Sequence, residues 1–132
     1  MILNKITPAM TVEDIKATIA FYRDMLGFEL VLTVPSLNQI DWALMKCGEV
    51  EIIFQTKAGH AAKMNQGLTG ILTFHLEGEG VKELYDSVKN RVKIMRHLYP
   101  TFYGMNEFSM MDCNGSILVF SEKIRKKEDD DK

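Results

Sequence analysis

The sequence lacks most of the features that announce a function at once. Its two cysteines, Cys47 and Cys113, stand far apart and in neither a CxxC nor a CxxH setting. That pattern supports neither a disulfide framework nor a zinc knuckle, and reduced thiols in a cytoplasm are expected. Neither cysteine has a histidine beside it to act as a base, so a thiol nucleophile is unsupported. Positive charge is not in excess: 16 lysines and arginines face 18 acidic residues, for a net charge of −2. A chain without surplus cations is poorly equipped to neutralise phosphates, and no nucleic-acid partner is expected. No apolar run is long enough to cross a bilayer, and no basic and then apolar leader opens the chain, so neither a membrane partner nor export is expected. Glycines do not assemble a phosphate loop; Gly78-Glu79-Gly80 reads as a strand-to-helix turn.

What is present is an ordinary globular composition, 46% hydrophobic and 26% charged over 132 residues, with mean hydropathy −0.08. One domain with a real core fits that length. The stretch TIAFYRDMLGFELVL, residues 18–32, reads as an amphipathic helix that stops at Gly27 and turns into a strand. Asp14 is its candidate N-cap, and Ile15, Ile19, Tyr22 and Leu26 form its apolar stripe. A second stripe, Val81, Tyr85, Val88 and Val92, has the same spacing, and each member lies 66 positions after its partner (15 to 81, 19 to 85, 22 to 88, 26 to 92). The same offset carries Cys47 onto Cys113, Phe54 onto Phe120, and EVEIIFQ onto GSILVFS. A shared offset across a helix, a turn and a strand indicates internal duplication.

Each half therefore predicts a strand, a helix and three strands. The strands are expected near 6–11, 28–34, 41–46 and 50–55, and again near 71–76, 93–98, 107–111 and 116–121. Lys46–Val50 and Asp112–Ser116 (KCGEV and DCNGS) are the tight turns between the last two strands of each half. Strand alternation puts Val50, Ile52 and Phe54 under the first helix, and Leu72, Phe74 and Leu76 under the second. Glu51, Ile53 and Gln55, with Ile71, Thr73 and His75, take the opposite face. That face is mixed in polarity, as a ligand-facing sheet would be. Residues 124–132, IRKKEDDDK, read as a solvated tail.

Two βαβββ modules, FYRDMLGF after TVEDI, and a closing YGMNEFSMMDCNGSILVFSE together resemble the vicinal-oxygen-chelate superfamily, which includes glyoxalase I, extradiol dioxygenases and bleomycin-resistance proteins. The resemblance covers about residues 5–122. It implies an α+β fold of two tandem βαβββ modules, forming an open curved mixed sheet with helices on its outer face. Module one would span about 5–56, a linker 57–68, module two about 69–122, and a flexible tail 123–132. It also implies a homodimer, because an open sheet leaves apolar residues uncovered.

The metal enzymes of that superfamily take His, Gln or Glu ligands from four places, which here hold Thr7, Ile53, Ile71 and Val119. Three of these are hydrocarbon, and none is a carboxylate, imidazole or thiolate, so no metal and no cofactor is expected at the inherited site. A displaced site using His75 with Glu51 or Glu107 is the alternative, and it would make the chain a metal-dependent lyase, isomerase or dioxygenase. The plain reading of His75 is a half-buried strand histidine near a module edge; His60 and His97 read as surface residues.

The metal-free bleomycin-resistance branch is the nearer resemblance. It carries a proline where Pro8 stands, a second helix beginning like EGVKELY, and a segment like YGMNEF. The resemblance implies a flat ligand held between two aromatic rings, here Trp42 and Tyr103, although strand parity leaves the face of Trp42 open. Trp42, Tyr103, His75, Glu51, Glu107, Phe102 and Ser109 are the candidate ligand residues, expected to share one cleft. Phe102 could equally be a plug. The expected function is sequestration of an aromatic or apolar small molecule, without a catalytic residue. At net −2 the chain is not acidic enough to suit a strongly cationic glycopeptide.

Overall fold

In the computed structural model, which describes residues 1–57 and 72–125, the chain divides into two compact units, Met1–Thr69 and Gly70–Lys132. The first unit runs β1 (Ala9–Thr11), α1 (Ile15–Leu26), β2 (Glu29–Pro35), β3 (Ile40–Cys47) and β4 (Val50–Gln55). Its sheet has the order β1-β4-β3-β2, with β1 parallel to β4 and the other pairs antiparallel. The helix begins where Asp14 accepts the backbone N–H of Ala17 at 2.9 Å. It ends where Gly27 turns left-handed at φ 75° and returns its N–H to the Arg23 carbonyl, a conformation that glycine adopts without steric cost.

The apolar stripe of α1 closes on one face of this sheet. Tyr22 and Phe54 are completely buried, with ring centroids 4.7 Å apart, and Phe28 stands edge-on to Tyr22 at 5.5 Å. Full burial of a side chain of that size contributes roughly 1.5–3 kcal/mol. Ala43, Met45 and Ile52 complete the layer under the helix.

The second unit repeats the plan with β5 (Thr73–Glu77), α2 (Val81–Val88), β6 (Lys93–Pro100), β7 (Met105–Met111) and β8 (Ile117–Lys123). Its order is β5-β8-β7-β6, again with the first strand parallel to the last. Val81 and Val88 are buried, Tyr85 packs edge-on against Phe108 at 5.2 Å, and Phe108 stacks on Phe120 at 5.4 Å. The α+β class and the duplicated βαβββ plan are therefore as the sequence indicates, built as two open four-stranded mixed sheets.

Several boundaries differ. β1 starts at Ala9 and not near residue 6; Pro8 has no N–H to give, though its carbonyl accepts the Ile53 N–H at 2.9 Å. α2 ends at Val88, after which Arg91 and Val92 both donate to the Val88 carbonyl in a tightened turn. β6 runs on to Pro100 and β7 begins at Met105. β8 extends through Lys123, the first residue of the expected tail. His60, Ile71, nearly all of the expected linker and the tail from 126 lie outside the described residues. Among the described residues no helix is long and apolar enough to cross a membrane.

Candidate functional site

In the second unit the strand register sorts side chains onto two faces. Phe74, Leu118, Phe120, Phe108 and Met110 face α2, while His75, Glu77, Val119, Ser121, Met105, Glu107 and Ser109 share the other side. A cavity of about 450 Å³ opens on that second side, lined by His75, Glu77, Tyr103, Met105, Glu107 and Ser121. A larger hollow of about 920 Å³ adjoins it and shares Glu77, Tyr103 and Met105.

The turn between β6 and β7 places Tyr103. Thr101 donates its N–H to the Met105 carbonyl at 2.7 Å and accepts the Met105 N–H on its hydroxyl at 3.0 Å. Gly104 closes the turn at φ 82°, a left-handed position that a side chain would strain. Its carbonyl accepts the N–H of Ile124, which ties the turn to the end of β8. The outcome is a half-open Tyr103 leaning over the sheet and a Phe102 that is fully exposed and edge-on to it at 5.0 Å.

Glu107 is the polar centre of this cavity. It is only 8% exposed. The Tyr103 hydroxyl lies 2.8 and 2.9 Å from its two oxygens, and the Tyr99 hydroxyl donates to Oε2 at 3.0 Å. The hydrogen bond to Glu107 and then burial push the Tyr103 phenol up; for Tyr99 burial acts first and Glu107 second. The Arg96 guanidinium lies over the Tyr99 ring at 3.6 Å, a cation–π contact that holds that ring in place.

The expected residues are thus partly gathered. His75, Tyr103 and Glu107 line one cavity. His75 is exposed and not half-buried, because β5 is an edge strand. Ser109 sits on the same face, paired with Arg96 and Val119, but outside that lining. Phe102 is also outside it and packs into no core, so it is not a plug.

Trp42 and Glu51 belong to the first unit. Trp42 pairs with Val34 and Gln55 on the face turned away from α1, half-buried, which settles the orientation that parity left open. Glu51 shares that face and is engaged by the Lys5 ammonium, which draws its carboxyl below the usual range. Tyr99, Glu77 and Ser121 were not singled out from the sequence. Glu77 and Ser121 lie two residues along from His75 and Val119, so period-2 counting finds them; the fold of the Tyr99 ring onto Glu107 leaves no such trace.

The donor set does not fit a divalent metal. Thr7, Ile53 and Val119 offer at most one hydroxyl, and among the described residues no three of His, Cys, Asp and Glu cluster as ligands.

The model of the Glyoxalase/Bleomycin resistance protein/Dioxygenase superfamily matches residues 3–120. The chain belongs to that superfamily. Bleomycin resistance proteins of Geobacillus stearothermophilus and Staphylococcus aureus are 27% identical to it, over 89% of this chain and 96% of theirs. Among solved structures, TioX from Micromonospora sp. ML1 superposes with TM-score 0.81 at 16% identity, covering 92% of this chain and 99% of that one. Lactoylglutathione lyase from Agrobacterium tumefaciens gives 0.70 at 21% identity, covering 91% and 94%. At such identities these two share the fold.

Proposed function

We propose that this superfamily member is a metal-free small-molecule-binding protein of the bleomycin-resistance type, which sequesters an aromatic or apolar ligand. The observation that carries the reading is the cavity where the exposed Tyr103 ring and the Met105 side chain stand over a buried carboxylate. An aromatic face and a polarizable thioether supply contact area, and one fixed polar group supplies orientation, which is the usual make-up of a ligand pocket. The 27% identity to bleomycin resistance proteins supports the class, and the hydrocarbon at the family's ligand positions argues against a metal-dependent lyase, isomerase or dioxygenase. Trp42, on the open face of the first sheet, is a proposed aromatic ligand surface of that unit. The two cysteines are exposed and form no disulfide with one another, which suits a reducing cytoplasm, the proposed location.

A panel of planar aromatic compounds, followed by calorimetry and by the fluorescence of the single tryptophan, tests this. Binding is expected, and Tyr103→Ala should weaken it several-fold with the protein still folded. A panel without binders, or binders indifferent to Tyr103→Ala, would overturn the reading.

A further inference from the structure

We infer that the cavity of the second unit selects a ligand whose aromatic or apolar body carries one protonated nitrogen, an ammonium or amidinium seated on Glu107. The inference rests on the binding-protein reading and names the polar half of its ligand. Glu107 is buried to 8% exposure, and among the described residues it forms no ion pair. Its partners are the hydroxyls of Tyr99 and Tyr103. A phenol that donates a hydrogen bond orients a carboxylate without cancelling its charge. Each hydroxyl has a single proton, so two of the roughly four acceptor sites of the carboxylate stay open to the cavity.

A buried charge that is fixed but not neutralised attracts a countercharge, because a charge-assisted hydrogen bond gains most where water is scarce. Glu77 lines the same cavity without an ion pair of its own among the described residues, and two carboxylates on one wall repel an anionic ligand. The exposed ring of Tyr103 offers its face to the same cation. Arg96, the cation closest in chain position on β6, is engaged over Tyr99 at 3.6 Å and not on Glu107. The chain's small net charge is compatible with this, since the selection is made by one localised carboxylate and not by a long-range field.

Three naphthalene probes of nearly equal shape test the assignment by calorimetry at one pH and salt concentration: 1-naphthylmethylamine (cationic), 1-naphthalenemethanol (neutral) and 1-naphthoic acid (anionic). The amine is expected to bind at least tenfold more tightly than the alcohol and to shift the Met105 methyl resonance, with the acid weakest. Glu107→Gln should collapse the amine-to-alcohol ratio towards one. Equal binding of amine and alcohol overturns the inference and leaves the binding-protein reading standing. So does a Met105 methyl that the amine does not move, or a ratio that survives Glu107→Gln. If none of the three binds, both fall. The wild-type ratio needs no variant, so a Glu107→Gln protein that does not fold still leaves the inference open to refutation.

Discussion

Glu122 on β8 accepts the backbone N–H of Val81 at 3.1 Å, and that of Gly80 at the same distance, so a strand side chain caps the helix α2. In the first unit Asp14 caps α1 from its own N-cap position. The 66-residue offset puts Gly80 where Asp14 stands and Glu122 where Thr56 stands. The duplicated halves thus meet one need from different places: Gly80 has no side chain to cap with, and the carboxylate comes from across the sheet. Thr56 keeps a buried hydroxyl oxygen without a partner among the described residues.

Replacing Glu122 with alanine should remove that cap and its favourable charge at the helix N-terminus, costing about 1 kcal/mol. Glu122→Gln keeps an acceptor and should cost less. Urea unfolding of the two variants checks the order; equal losses would mean that Glu122 acts through packing.

Tyr99 and Tyr103 should titrate above about 10, the ordinary phenol value, because burial and the Glu107 carboxylate push both up. The sign follows directly. A phenol raised in the folded state contributes stability that is complete below its unfolded value and is lost as pH rises through the folded one. Stability should therefore fall in the alkaline range, above about 10. NMR of ring-labelled tyrosine gives both values, and Glu107→Gln should bring them down. Unchanged values in that variant would mean that Glu107 does not set them.

Purified protein should carry no stoichiometric divalent metal, and a chelator should leave its melting temperature unchanged. The grounds are the side chains themselves: Thr7, Ile53 and Val119 cannot furnish a donor set. About one ion per chain by elemental analysis, lost in His75→Ala, would instead support the displaced metal site.

Light scattering should report about twice the 15.1 kDa chain mass. In the first unit Leu32 and Val34 are 53% and 46% exposed on the face away from α1, beside the half-buried Trp42. Uncovered apolar surface of that kind favours a second copy. Val34→Glu should lower the measured mass; a wild-type monomer at micromolar concentration would defeat the proposal.

The sequence by itself determined the repeat, the first helix and the parity of the strands, although Val50 and Leu72, expected under the helices, are exposed. Each of these is written in local periodicity: a 4-3-4 apolar stripe, period-2 strands, Asp14 before and Gly27 after α1. Such signals survive because the forces behind them act between near neighbours or on every second residue. Tertiary structure alone decided the rest. That Trp42 turns away from α1 follows from its pairing with Gln55 and Val34, and the register of a strand is fixed by partners many residues away. That Glu107 is held by Tyr99 and Tyr103 depends on the bulges in β6 and the turn at Gly104, which set where two rings land without leaving a period to count. That Glu122 caps α2 depends on β8 lying alongside β5, a neighbour relation that no stretch of the chain carries within itself.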